Sequence, residues 1–381
     1  MLKLRGITWG HTRGYVPLVA TAQRYMEIHP NVKIEWSVRS LQAFGDFPIE
    51  KLAGEYDMIV LDHPWMGHAH ENNLLIPLNK FLSADFLSDQ AKNTVGHSHA
   101  SYNYGGNQYA LAIDAACPIA FYSPRKLEHF GVQIPATLED VVSLAKKGGV
   151  FFGGNSTCVL MMFYMLLNAK TATFTEDAIA PTDAILETLD EMQHLYSFMP
   201  ALSYEKSPIG VFEVISSPET PYAYCPWDFG YSNYSRAGYS NEIILAANVV
   251  AYKEKMLRTT LGGAGIALFS TAKNIETALD YMQYTASSIV QKTLYTQSGG
   301  QPGHREAWLC EGANRITNNF FKNTLKTLDN AWLRPRYAGY LEFQETAAVK
   351  LRTWLIDGGD KAKLLNELNN LYLKGENRCK K

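Results

Sequence analysis

LKLRGITWGHTRGYVPLVATAQRYMEIHPNVKIEWSVR, residues 2–39, sets out a strand, a helix and a second strand. Leu2 to Thr8 reads as a short strand, followed by the polar, glycine-bearing loop Trp9-Gly10-His11-Thr12-Arg13-Gly14. A helix is expected to begin near Tyr15, with Pro17 in its first turn, where a missing N–H costs nothing, and Leu18, Ala22, Tyr25 and Met26 on one face. Pro30-Asn31 stops it. Val32, Ile34, Trp36 and Val38 then alternate with Lys33, Glu35 and Ser37, the two-residue period of a strand. Beyond a second helix expected through Ile49 to Ala53, YDMIVLD (56–62) reads as a buried parallel strand ending in a carboxylate. Strands alternating with helices predict an α/β fold built on a parallel sheet with helices on both faces.

In such sheets ligands sit outside the carboxyl ends of the strands, so the loops after each strand are the places to search. Trp9, His11, Arg13 and Tyr15 follow the first strand, Arg39 and Ser40 the second, and Asp62, His63, Pro64 and Trp65 the third. A further strand from Tyr109 to Ile113 is expected to end at Asp114, and the chain then runs into another strand, Ile119 to Tyr122. The middle of the chain carries a Gly153-Gly154-Asn155 turn and an apolar run from Cys158 to Leu167, read as a buried helix. An aromatic cluster, Tyr222, Tyr224, Trp227, Phe229, Tyr231 and Tyr234, follows; Pro226, Gly230 and Gly238 punctuate it, so helical packing does not explain it. LGGAGIAL (261–268) reads as a glycine bend leading into a strand, with no Lys-Ser/Thr behind it to make a phosphate cradle.

The 381 residues carry 35 Lys+Arg against 37 Asp+Glu, a formal charge of −2, which implies no charge-driven partner and no nucleic acid. Apolar residues at 46% and charged residues at 19% suit packed cores, and the length predicts two lobes. The Cys158–Leu167 run is about half of the ~20 residues that a membrane-spanning helix needs. Five cysteines, Cys117, Cys158, Cys225, Cys310 and Cys379, are scattered without metal spacing and read as buried thiols. His97 and His99 form a possible metal pair but lack a third ligand in view and read better as loop residues, so no metal is assigned. Met1-Leu2-Lys3-Leu4 runs into a strand with no cleavable leader, which leaves two readings: a trimmed signal or a cytoplasmic chain.

Seven segments in this order resemble the family 1 extracellular solute-binding proteins, the sugar-binding components of ATP-driven importers: GITWGHTRGYVPLVATAQRY, YDMIVLDHPW, YALAIDAACPIAFYS, YCPWDFGYSNYSR, LGGAGIALFSTAKN, IETALDYMQYTAS with YTQSGGQPGHREAW, and RPRYAGYLEFQ. The resemblance implies two discontinuous α/β lobes of the periplasmic-binding-protein type II fold, joined by a hinge and enclosing the ligand. On the sequence the lobes are expected at 1–114 plus 262–312, and at 115–261 plus 313–381. It also implies a small-molecule ligand, a membrane permease as partner, a periplasmic or extracellular location, a monomer and no cofactor. The alternative reading is an enzyme or sensor on the same scaffold, retained in the cytoplasm and acting on a small carboxylate or sugar acid; no nucleophile–base–orienter set supports it.

The candidate ligand-binding residues are Trp9, His11, Arg13, Arg39, Asp62, Trp65, Asp114, Asn155, Trp227, Tyr231 and Gln301. A sugar ring stacks its C–H face on Trp or Tyr and gives its hydroxyls to planar polar groups, which this set offers. Each has a plain alternative: aromatics pack cores, strand-end carboxylates cap helices, and His11 and Arg13 read equally as solvated loop residues. His11, Arg13, Arg39, Arg305, Arg334 and Arg336 are more cationic than a neutral sugar needs, so an acidic ligand stays open beside a neutral one.

Overall fold

The computed structural model describes residues 1–46, 48–175 and 177–379. The elements used below, in chain order, are β1 (Leu2–Trp9), α1 (Thr12–Ile28), β2 (Val32–Arg39), β3 (Met58–Leu61), β4 (Ala110–Ala116), β5 (Pro118–Tyr122), α2 (Ser156–Asn168), β6 (Tyr224–Phe229), β7 (Leu245–Ala247), β8 (Gly262–Leu268) and α3 (Ile275–Ala286). The chain divides into two compact units. The first comprises Met1–Ala116, Leu261–Lys322 and Arg336–Ala338; the second comprises Cys117–Thr260, Asn323–Pro335 and Gly339–Lys381.

The first unit is a five-stranded sheet in the order β2-β1-β3-β8-β4. β1 pairs in parallel with β2 and β3, as the alternating pattern predicts. β8 departs from the all-parallel expectation, because it runs antiparallel to both β3 and β4. The glycine run expected as a bend is itself part of this strand: Gly262 and Gly263 pair with Ala116 and Ala115. Gly263 needs its glycine, since its φ is +110° and a Cβ would lie 2.4 Å from the Asp114 carbonyl oxygen. β4 also extends past its expected end, so Asp114 lies inside a strand, paired with Ala264.

The core of this unit gathers Leu4, Trp36, Met58, Val60, Leu111, Ile113, Ile266 and Leu268 from the sheet with Leu18 and Tyr25 of α1 and Tyr281 of α3. A polar group at its centre is paired: the Tyr281 hydroxyl accepts from Trp36 Nε1 at 3.1 Å, lies 3.1 Å from Thr21 Oγ1 and donates to the Leu18 carbonyl at 3.2 Å. Where the second helix is expected, at Ile49 to Ala53, the structure has a single 3₁₀ turn, Ile49–Lys51; a short helix, Leu41–Asp46, lies before it.

In the second unit β5 is the central strand of a three-stranded antiparallel sheet, between β6 and β7. α2 is apolar all round, with Cys158 through Leu167 buried, as expected of a core helix. β6 holds one extra residue against its partner: Cys225 pairs with Phe121 and Asp228 with Ile119. Residues three apart in a regular strand point to opposite faces; this bulge returns Cys225 and Asp228 to the same one, with Pro226 in the irregular stretch, where its missing N–H is tolerated. Among the described residues no helix is long and apolar enough to cross a membrane.

Candidate functional site

α1 starts at Thr12, earlier than expected, because His11 caps it: the ring Nδ1 accepts the Arg13 N–H at 3.0 Å. Burial, then the Arg13 charge, lowers the His11 pKa to about 4, so the ring is neutral and its Nδ1 carries the lone pair that accepts. Pro17 consequently sits in the second turn. The glycine of the loop is set by the tryptophan before it, since a Cβ on Gly14 would lie 2.3 Å from the Trp9 indole. Trp9 thus lies buried over the first turn of α1, with Phe44 at 4.9 Å between ring centroids and Arg39 over the other ring of that pair at 5.3 Å.

Arg13 does not stand in solvent. Its guanidinium donates to both carboxylate oxygens of Asp114, Nε to Oδ2 at 2.8 Å, and both side chains are buried. Burial pushes the Asp114 carboxyl up while Arg13 pulls it down. The structure therefore joins two candidates 101 positions apart into one buried pair, tying α1 to β4. Gln301 is likewise engaged with backbone: Nε2 donates to the Ala115 carbonyl at 2.8 Å and its own carbonyl accepts the Ala115 N–H at 3.0 Å. Asp62 caps the turn His63–Trp65 by accepting the His63 N–H at 2.8 Å.

The other cations flagged in the sequence are also engaged within their own units. Arg39 donates to the carbonyls of Ala43 and Val60 at 3.1 and 3.2 Å, and Arg305 to that of Thr94 at 3.0 Å. Arg334 donates to Gln344 Oε1 at 2.8 Å, and Arg336 Nη1 to the carbonyls of Ala100, Ser101 and Asn103.

In the second unit Asn155 is the N-cap of α2, accepting the Cys158 N–H at 2.9 Å. Trp227 is 4% exposed and lies 5.4 Å from Phe152; Tyr231 is buried and 6.4 Å from Phe212. Beside Trp227, sequence reasoning missed Asp228, which is buried and accepts from Gly153 N at 3.0 Å, Cys158 Sγ at 3.2 Å and Cys225 Sγ at 3.5 Å. Burial raises its pKa to about 6, partly offset by those donors, and burial pushes both thiols well up, which keeps them protonated and unreactive. The cysteines scattered in sequence thus include two that converge on one carboxylate; Cys117 is buried as expected, Cys310 only half-buried, and the Cys379 side chain lies outside the described residues. The signal for the missed group was present: the acid follows the tryptophan directly in CPWDF, and Cys158, Met161, Met162 and Met165 share the spacing of one helix face.

Among the described residues, three indole N–H groups are buried without a hydrogen-bond partner: those of Trp9, Trp65 and Trp227. They are the three tryptophans among the candidate residues: Trp9 and Trp65 from the loops after strands, and Trp227 from the aromatic cluster, a residue that the structure places inside β6 and not in a loop. Trp36, Trp308 and Trp354, outside that set, donate to Tyr281 Oη, Pro302 O and Gly359 O. An indole with an unused N–H can donate to a hydroxyl-rich ligand, and the hydroxyls of Ser98, Ser203, Tyr224 and Thr259 are likewise buried without a partner.

The family model described as bacterial extracellular solute-binding protein matches residues 9–292. Comparison with curated proteins found no match. Among solved structures, an ABC transporter solute-binding protein from Agrobacterium radiobacter in complex with ribitol is similar at 18% identity, with 98% of each chain covered and a TM-score of 0.80. A solute-binding protein from Thermotoga lettingae bound with alpha-D-tagatose gives 15% identity, 98% of this chain and 100% of that one, and a TM-score of 0.80. A maltose-bound protein of T. maritima gives 15% identity, 99% and 100% coverage, and a TM-score of 0.80. These likenesses show a shared fold.

Proposed function

The chain belongs to the bacterial extracellular solute-binding proteins, and we propose that within that family it captures a sugar or sugar-like small molecule for an ABC importer, without changing it chemically. The observation that carries this reading is the trio of buried, unpaired indole N–H groups of Trp9, Trp65 and Trp227. They are the proposed stacking surfaces and donors, with His11, Asn155 and Tyr231 as further polar and aromatic contacts and Asp114 as the group that holds Arg13 in place. The chain acts in the periplasm or outside the cell as a monomer and delivers its ligand to a membrane permease.

A neutral polyol or sugar is favoured over an acid. A desolvated carboxylate or phosphate calls for a guanidinium free to pair with it in bidentate fashion. Arg13 already pairs with Asp114 in that way, Arg39, Arg305, Arg334 and Arg336 donate to protein oxygens, and His11 is uncharged.

The test is a thermal-shift screen of the purified chain with ribitol, tagatose, maltose and the corresponding sugar acids, followed by calorimetric titration and recovery of the ligand. The expected result is a raised melting temperature with neutral members and ligand recovered unaltered. Stabilisation by the acids alone overturns the neutral assignment, and conversion of a ligand overturns the binding-only function.

A further inference from the structure

One face of α2 presents Cys158, Met161, Met162 and Met165 to a small cleft whose opposite wall is Trp227 and Phe229, all within the second unit. The cleft has room for about one water molecule. Its walls are thioether, thiol and aromatic ring.

Polar groups at the cleft are few and mostly engaged. Asp228 accepts through Oδ1 from Cys158 and through Oδ2 from Gly153 N and Cys225. Met161 Sδ accepts from Thr260 Oγ1 at 3.0 Å. Trp227 Nε1 has no partner and offers a hydroxyl oxygen one donor, fewer than the partners a buried water or hydroxyl needs. A water or hydroxyl in such a site needs two to four polar partners, whereas a methyl needs none and gains contact with polarizable sulfur and ring faces.

We infer that this cleft receives a methyl group of the bound solute, so that the protein prefers a deoxy- or O-methyl sugar to the fully hydroxylated parent. The inference rests on the sugar-binding function proposed above and narrows it. Methionine side chains are unbranched and adapt to the shape of what they meet, which suits a subsite this small. Burying one methyl, together with sparing a hydroxyl that would be left partly unpaired, is worth about ten- to hundredfold in affinity.

Calorimetric titration of three matched pairs tests this: D-galactose against D-fucose, L-mannose against L-rhamnose, and D-glucose against methyl α-D-glucoside. The expected result is that in at least one pair the methyl-bearing member binds about tenfold tighter or better. Met165→Ala, which widens the cleft, should bring that ratio down to near unity, while Met165→Leu, which keeps the volume, should preserve it. Equal affinities within every pair that binds overturn the inference, as does a ratio unchanged in a folded Met165→Ala variant; the wild-type comparison decides the matter even if the variant does not fold. Absence of binding by all six compounds, set against binding of a non-sugar solute, overturns the sugar assignment itself and the methyl subsite with it.

Discussion

Asp228→Asn removes a titrating group from the middle of the second unit while keeping its shape. In the folded chain the Asp228 carboxyl has a pKa of about 6 against an ordinary 3.8, with burial as the main cause. The folded state therefore holds this proton more tightly than the unfolded chain does. As pH rises from about 4 to about 6 the unfolded chain releases the proton first, so stability falls with pH across this window. The stabilising contribution of the protonated carboxyl is fully present below 3.8 and is lost as pH rises through about 6. At about 1.4 kcal/mol per pKa unit, a shift of roughly two units sets a ceiling of about 3 kcal/mol on that loss. Asparagine is uncharged throughout, so the variant escapes it. Melting temperatures of wild type and variant, measured side by side from pH 4.5 to 7.5, should diverge in favour of Asp228→Asn as pH rises. For a domain of 150–250 residues the ceiling corresponds to roughly 6–12 °C at the upper end of the range. The fixed cost of turning an amide toward Gly153 N and the two thiols shifts the whole difference curve without altering its slope. A flat difference, or one that moves in favour of wild type with rising pH, refutes the assignment of a raised pKa to this carboxyl.

Trp227→Ala should weaken binding of whichever neutral sugar raises the melting temperature by about 2 kcal/mol or more, roughly thirtyfold, in calorimetric titration. Unchanged affinity there and in Trp9→Ala would remove both residues from the proposed site. Arg13→Ala leaves Asp114 buried without its guanidinium and should cost about 3–5 kcal/mol in urea unfolding, whereas the paired apolar replacement Arg13→Met with Asp114→Leu should recover most of it. If the double variant is no better than the single one, the pair does not act as a unit. Gly263→Ala combines an unfavourable positive φ with a Cβ against the Asp114 carbonyl and should destabilise by about 1–3 kcal/mol; a denaturation midpoint equal to wild type would contradict the close approach of β8 to β4.

The alternation in Val32–Val38 and the helical spacing of Leu18, Ala22 and Tyr25 made the first βαβ unit legible, because each depends only on neighbours a few positions away. The early start of α1 was not legible, since histidine is an uncommon cap and its suitability comes from burial that keeps the ring neutral. Asp114 at the end of an apolar stretch resembled a ligand acceptor; that Arg13 engages it depends on packing between residues 101 positions apart, on which local patterning is silent. Glycines 262, 263 and 265 suggested a bend because glycine breaks strands, yet here they admit close backbone contact within one. At the candidate site, the position after strands points to Trp9 and Trp65 and the aromatic cluster to Trp227; CPWDF puts an acid beside Trp227, but its convergence with two thiols depends on a bulge that no spacing rule anticipates.

The insertion of β8 between β3 and β4 bears on how the chain is made. β3 and β4 leave the ribosome early, but the strand that must lie between them does not emerge until the whole segment Cys117–Thr260 has been synthesised. At about 5–20 residues per second that interval is roughly 7–30 s, during which β3 has β1 on one side only and β4 waits for the strand that joins it to the sheet. The nascent first unit thus waits with unpaired strand edges, and its completion is timed by translation of the second unit's main segment.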